Sequence, residues 1–338
     1  MSAARGTLRN HLEFWAAKAV LGVLRVLPGR LSLALLRGVG SLAHRLNGAR
    51  RKRAVECVVR ALGSSPTEAD RIVRACTQSM VLSLGEPMLF ERAVAQHGLK
   101  AHLEIEGAEH LDAALAAGRG VLLATAHFGA WECFGTILCE RFKPVWAVAR
   151  PIDNPLLDEW VRKSRARTSA GTIDKDGGGM KMARLLRKGE IVFALLDQNA
   201  GESGVVMDFL GVPSSHHRVA GAMATRFGAA VIPAYLRREP GHLRFRLIIE
   251  PAVEPDPALQ GDEAALDVVR RVSDSLEGQV RAAPGQWLWL HDRWKRALRE
   301  MRRAARRKRE GQAAAGSASA PEDTQCVEAP LSKGTNEA

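Results

Sequence analysis

Four short apolar runs in the middle of this sequence constrain its fold most: residues 120–126 (GVLLATA), 145–149, 191–196 and 230–236. Each is of strand length and too short for a buried helix. Stretches with helical periodicity lie between them, at 155–167, 180–188 and 219–227. A strand that is apolar on both faces must be covered on both. Strands alternating with helices achieve this by building a central sheet with helices packed on it. The pattern predicts an α/β fold, a central mixed sheet flanked by helices, with residues 242–250 as an antiparallel edge strand and 263–281 as a further helix.

Ahead of this region, residues 12–46 are rich in Leu, Val and Ala, but Lys18, Arg25, Arg30, Arg37 and Arg45 recur through them and Pro28-Gly29 splits them. A membrane-spanning helix needs about 20 largely uncharged apolar residues, and neither half supplies them. The expectation is two amphipathic helices lying in a membrane interface, their cationic flank facing an anionic phospholipid surface. Core-facing helices of a soluble body would show the same pattern, so that alternative stays open. Helices at 50–62 and 67–94 follow, the second capped by Ser64, Ser65 and Pro66. Beyond Trp294 a basic run at 295–310 gives way to an Ala-, Ser-, Gly- and Pro-rich segment, 311–338, with no core pattern, expected to be disordered. The expected division is therefore 1–46 interfacial, 47–296 α/β body with a helical start, and 297–338 basic segment and tail.

Forty-nine Lys and Arg against 37 Asp and Glu leave a net charge of +12, which favours an acidic partner: nucleic acid, anionic lipid or an acidic carrier protein. With one Tyr, nine Phe and no zinc-knuckle or RNA-recognition signature, nucleic acid is disfavoured. The five cysteines, Cys57, Cys76, Cys133, Cys139 and Cys326, never stand in a CxxC spacing, which argues against a disulfide framework or a zinc site. No secretory signal pattern opens the chain, and the body is expected in the cytosol. Neither GxSxG nor HExxH occurs, and the glycines at 177–179 lack the lysine-serine ending of a phosphate loop.

The stretch that carries chemistry is ATAHFGAWE, residues 124–132, a buried strand ending in His127 with Glu132 five residues on. On a continuous helix that spacing sets two side chains about 140° apart. At a strand-to-helix junction eased by Gly129 they can meet. Glu132 is then expected to accept the Nδ1 proton of His127, fixing the tautomer and leaving Nε2 to take a proton from substrate.

HFGAWE resembles the HX4(D/E) box of glycerolipid-type acyltransferases, and specifically the form found in the bacterial lipid A biosynthesis (late) acyltransferase family. Further boxes resemble that family in order: Arg150 to Pro155 (RPIDNP), Leu196 to Gly201 (LDQNAG), Gly211 with Pro213, and the closing QWLWLHDRWK at 286–295. The resemblance covers about residues 10–296. It implies transfer of a fatty acyl chain from an acyl carrier protein thioester to a hydroxyl of a membrane glycolipid, a lipid A precursor, without metal or bound cofactor. It places the protein at the cytoplasmic face of the bacterial inner membrane, peripheral or monotopic. His127 and Glu132 become the catalytic pair, and Arg150 the candidate for stabilising the oxyanion. Asn154, Asp197, Gln198 and Asn199 become substrate-binding candidates. Asp197 and Gln198 are expected to orient the acceptor or Arg150, or else Asp197 closes a turn with Asn199 and Gly201. Two departures stand out: Ala130 replaces the common asparagine, and His216 and His217 follow Ser214-Ser215 where small hydroxyl residues and proline are usual. His291, between Trp289 and Trp294, reads as packing in a tryptophan wall or interfacial belt. Two other readings remain: a thioesterase using the same pair to activate water, and a non-catalytic basic peripheral protein binding lipid or nucleic acid.

Overall fold

Two sheet faces of opposite coverage organise the chain, and the alternation of side chains along one strand shows both. The computed structural model describes residues 2–166, 168–174 and 177–295, and 1–295 make up one unit. The readings of 297–338 lie outside the described residues. Four helices come first: α1 (Ser2–Val26), α2 (Gly29–Leu46), α3 (Gly48–Leu62) and α4 (Pro66–His97). The α/β part follows: β1 (Leu103–Glu106), α5 (Ala108–Ala116), β2 (Val121–Thr125), α6 (Phe134–Arg141), β3 (Trp146–Ala149), α7 (Pro155–Arg165), β4 (Gly171–Asp174), α8 (Gly179–Arg187) and β5 (Ile191–Leu195). It closes with a hairpin of β6 (Val205–Phe209) and β7 (Val212–His216), then α9 (Val219–Phe227), β8 (Ala230–Arg238), β9 (Phe245–Ile249) and α10 (Gly261–Ala282).

Seven strands form the central sheet in the order β1-β9-β8-β2-β5-β3-β4, with every neighbouring pair parallel except β8 with β9. Along β2, Val121 and Leu123 enter the core shared with α4, α5 and α6, while Leu122 and Ala124 enter the one shared with α8, α9 and α10. A strand with period-two side chains buried on both sides must be apolar at every position, which is why 120–126 reads as an unbroken run.

β9 is antiparallel, as expected, but it is not an edge: β1 pairs along its other side. β1 escapes the sequence reading because Leu103, Glu104, Ile105 and Glu106 alternate half-buried with exposed, the mark of a strand covered on one side only. β6 escapes for the same reason, β7 because its buried positions are Ser214, Ser215 and His216 rather than apolar residues, and β4 because Gly171 and Thr172 dilute its apolar character.

α4 is capped as its sequence predicts, Ser65 Oγ accepting from the Glu68 amide at 3.2 Å with Pro66 in the first turn. α2 packs along it closely enough that a Cβ at Gly40 would lie 2.6 Å from the Cα of Gln78. Leu33, Leu36, Gly40 and His44 form the buried side of α2, and Leu31, Leu35, Val39, Leu42 and Leu46, each at least 44% exposed, the other. Leu8, Leu12, Trp15, Val20, Val23 and Val26 are likewise exposed along α1. Residues 1–46 therefore share the core of the α/β part and also carry an uncovered apolar stripe. No described helix is long and apolar enough to cross a membrane.

Candidate active site

β2 delivers His127 to the edge of the sheet formed by the C-terminal ends of the parallel strands, and β5, its neighbour, delivers Asp197 to the same edge. Leu196 donates its amide to the Thr125 carbonyl at 2.8 Å, the last rung joining the two strand ends. Asp197 comes one residue after Leu196 and His127 two after Thr125. His127 Nδ1 lies 2.8 Å from Asp197 Oδ1, and the His127 amide donates to Oδ2 at 3.1 Å. Oδ2 also accepts from the Trp287 indole N–H at 3.0 Å, and an Arg293 guanidinium N–H donates to the Asp197 main-chain oxygen.

Asp197 is 2% exposed. Burial alone would push its carboxyl pKa up, but the charge and hydrogen bonds of His127, together with Arg293, outweigh burial and hold it below its ordinary value. An ionised Asp197 accepts the Nδ1 proton, which makes Nε2 the basic nitrogen of His127. The imidazole is 19% exposed, and its ring lies 5.4 Å from that of Trp131.

This corrects the expected partner of His127. The chain does not turn into a helix at once after β2: Phe128 and Gly129 run on and bridge to Trp287 and Leu236. Gly129 has φ +58°, and a Cβ there would lie 1.8 Å from the Leu236 oxygen, so only glycine fits. Glu132 is thereby carried into the short 3₁₀ turn of residues 131–133. There both carboxylate oxygens accept from Arg165 Nη2, at 3.0 and 2.9 Å. Asp197, brought in by a strand 70 residues later, supplies the carboxylate that meets Nδ1.

The other expected site residues scatter along the same edge. Arg150 follows β3, two strands from β2 and so about 10 Å away. Its side chain is 71% exposed and pairs with Asp153 at 3.1 Å. Asn154 is buried as the cap of α7, accepting from the Leu156 and Leu157 amides and donating to Glu13 and the Asn10 oxygen of α1. Gln198 is half-buried beside Asp197. Asn199 closes the turn to Gly201 through its side chain, while its amide donates to His291 Nε2 at 3.1 Å, so His291 holds this loop. The tryptophans form a wall rather than an interfacial belt: Trp287, Trp289 and Trp294 are each at most 2% exposed, and every indole N–H has an acceptor.

Two arginines were missed. Arg165 sits at the end of α7 in an otherwise ordinary basic helix terminus, and nothing local distinguishes it. Arg293 lies within the closing box. Arg293 is 2% exposed, its guanidinium lies 4.1 Å from the centre of the Phe209 ring, and Nη2 donates to His216 Nδ1 at 3.2 Å. Burial lowers its pKa to about 10, so it stays charged at neutral pH. His216, buried beside that charge, is pushed down to about 3 and is neutral. An aspartate-oriented histidine at the strand ends, backed by a buried arginine and a tryptophan, is an arrangement that can take a proton from a bound hydroxyl.

The model of the bacterial lipid A biosynthesis acyltransferases matches residues 4–296. The chain belongs to that family. A lipid A biosynthesis lauroyltransferase of Escherichia coli K12 is 30% identical over 300 residues, which cover 84% of this chain and 93% of that protein. A phosphatidylinositol mannoside acyltransferase of Mycobacterium tuberculosis is 29% identical over 209 residues, 61% of this chain and 64% of the relative, so that match spans less than two thirds of the relative's length. A solved 1-acyl-sn-glycerophosphate acyltransferase from Thermotoga maritima shares 14% identity at a TM-score of 0.35, over 73% of this chain and 96% of that one, a likeness too loose to carry an argument. The family match runs from α1 through Lys295 and so takes in the N-terminal helices and the tryptophan wall as well as His127.

Proposed function

We propose that this protein moves a fatty acyl chain from an acyl carrier protein thioester to a hydroxyl of a membrane glycolipid of the lipid A precursor class. The observation that carries the reading is His127 held by buried, ionised Asp197 at the open edge of the sheet, in a chain of this family. His127 Nε2 takes the proton of the acceptor hydroxyl as its oxygen bonds to the thioester carbonyl carbon. The tetrahedral intermediate collapses by breaking the C–S bond, and the imidazolium returns the proton to the leaving thiolate. The oxyanion formed between these steps calls for a cation or donor. Arg165, held by Glu132, and Arg150, held only by an exposed aspartate, are the two cations we assign to that end of the sheet. The +12 charge favours an acidic carrier as donor. The exposed apolar stripes of α1 and α2, flanked by Arg30, Arg37 and Arg45, suit an anionic bilayer at the cytoplasmic face of the inner membrane.

The test is transfer of one acyl chain from acyl-carrier protein and from acyl-CoA to a glycolipid acceptor in fixed detergent, across a salt series. Transfer from the carrier should exceed that from CoA at low salt and fall as salt screens the encounter. Release of free fatty acid with no need of an acceptor would replace the transferase reading with hydrolysis.

A further inference from the structure

Asn154 is 4% exposed although Ile152, Asp153 and Pro155 around it are all exposed. A polar side chain is stable in such a place where protein replaces the bonds it made to water. A side-chain amide offers two donors and two acceptor positions, and here all four are used. Oδ1 accepts from the Leu156 and Leu157 amides at 3.1 and 3.4 Å, capping α7, while Nδ2 donates to the Asn10 main-chain oxygen at 2.9 Å and to Glu13 Oε2 at 3.1 Å. A helix cap needs only the accepting oxygen. The donating nitrogen serves α1. On α1, Asn10, Glu13, Phe14 and Ala17 are half-buried at helical spacing, and Leu8, Leu12 and Trp15, on the opposite side of the helix, are exposed. None of the eleven residues of α7 is fully buried, so its place depends on what holds its ends. Asn154 holds the start, and at the other end Arg165 donates to both oxygens of Glu132.

We propose that Asn154 is a positioning residue, the clamp through which α1 sets α7 and hence the place of Arg165 and Glu132 at the catalytic edge of the sheet. An α-helix of eleven residues is a rod of about 16 Å, so a displacement at its start is carried to Arg165. The motif RPIDNP implies contact of Asn154 with substrate, but the amide has spent its bonding capacity within the protein. Glu13 is the other half of the clamp: its second oxygen accepts from Arg9 Nε at 2.7 Å, which keeps the carboxylate turned to Asn154. Because the clamped side of α1 lies opposite Leu8, Leu12 and Trp15, a bilayer that takes up those side chains is held one helix diameter, about 10 Å, from the start of α7.

The catalytic half of this inference rests on the acyl-transfer reading above; the clamp itself does not. Asn154→Ser keeps a capping oxygen but carries no second group to reach α1, and Glu13→Ala removes the acceptor on α1 alone. In transfer assays both should lower kcat, Asn154→Ser roughly tenfold, within the roughly 10²-fold that a 1 Å misplacement can cost, with KM nearly unchanged. Glu13→Gln, whose amide oxygen still accepts, should restore most of the rate. Hydrogen exchange on the full-length Asn154→Ser protein should quicken in α1 and α7 and stay unchanged in β2 and β5. A raised KM in Asn154→Ser with Glu13→Ala unaffected would overturn the positioning role in favour of direct substrate contact, and full activity of both variants would remove it outright. Unchanged exchange in α1, or a rise that extends into β2 and β5, would overturn the clamp. If His127→Ala retains transfer, the acyl-transfer mechanism fails while the exchange result stands by itself.

Discussion

A carboxylate that accepts the Nδ1 proton of an imidazole sets its orientation, and for His127 that carboxylate is Asp197. Replacing the acceptor while keeping its shape should leave the fold intact and remove the orientation. Asp197→Asn is expected to lower kcat by about 10²- to 10⁴-fold, comparably to His127→Ala and without adding to it in the double variant. Steady-state kinetics of the three variants decide this, and a double variant far slower than either single one would mean separate roles. Glu132→Gln should act differently, because Glu132 holds Arg165 rather than Nδ1. Its loss should be shared by Arg165→Ala, the cation that Glu132 holds. Gly129→Ala meets both a left-handed φ and the Leu236 oxygen. It should destabilise the protein by at least ~1–3 kcal/mol, read as a lowered midpoint in denaturant unfolding.

At the scale of elements, α4 joins the N-terminal helices to the site. Arg238 of β8 makes a buried ion pair with Glu86 at 2.6 Å and also donates to Ser79 and Ser83, and Ser83 Oγ donates to the Gly129 oxygen. Removing one partner strands a charge, so Glu86→Ala is expected to cost about 3–5 kcal/mol, measurable by urea unfolding. A cost under 1 kcal/mol would show that the pair is solvated. α2 has two apolar sides with different duties, and this decides how membrane binding is to be tested. Deleting residues 1–46 would expose the α4 surface that Leu33 and Leu36 cover, and would unfold what it meant to measure. Leu31→Ser, Leu35→Ser and Leu42→Ser together change only the exposed side. This variant should keep its thermal stability and lose most flotation with anionic liposomes; undiminished flotation would take α2 out of the membrane contact.

For the whole molecule, acid should be the weak side. Burial holds His44, His216, His242 and His291 below their ordinary value, His216 at about 3. A histidine depressed in the native state gains its proton first in the unfolded chain. Its contribution is therefore intact above pH ~6.5 and is lost as pH falls toward the native value, each such group giving up to about 1.4 kcal/mol per pH unit. Asp197, also depressed, adds its loss only below the ordinary carboxylate range near pH 4. Calorimetry between pH 7.5 and 5 should show a steadily falling Tm, and His216→Gln should flatten part of that slope. A Tm independent of pH over this range would contradict the burial of these rings.

Whatever the sequence repeats locally could be read from it. Apolar runs on both faces of β2, β5 and β8, the cap at Ser65 and Pro66, the helices around them and the ordered motif boxes all depend on neighbours a few residues apart, where period and composition act. What depends on meeting across the fold could not. Asp197 reads as a site residue but not as the acceptor for His127, because strand order, not spacing, places β5 beside β2 across the 70 residues between them. Asn154 reads as substrate-binding in its motif and folds as a helix cap bonded to α1. Arg293 looks like one basic residue among many until burial leaves it no water, and only then must every N–H find a partner. Local pattern determines which segments are strand or helix; desolvation, which exists only once the layers close, decides which polar side chains become a site.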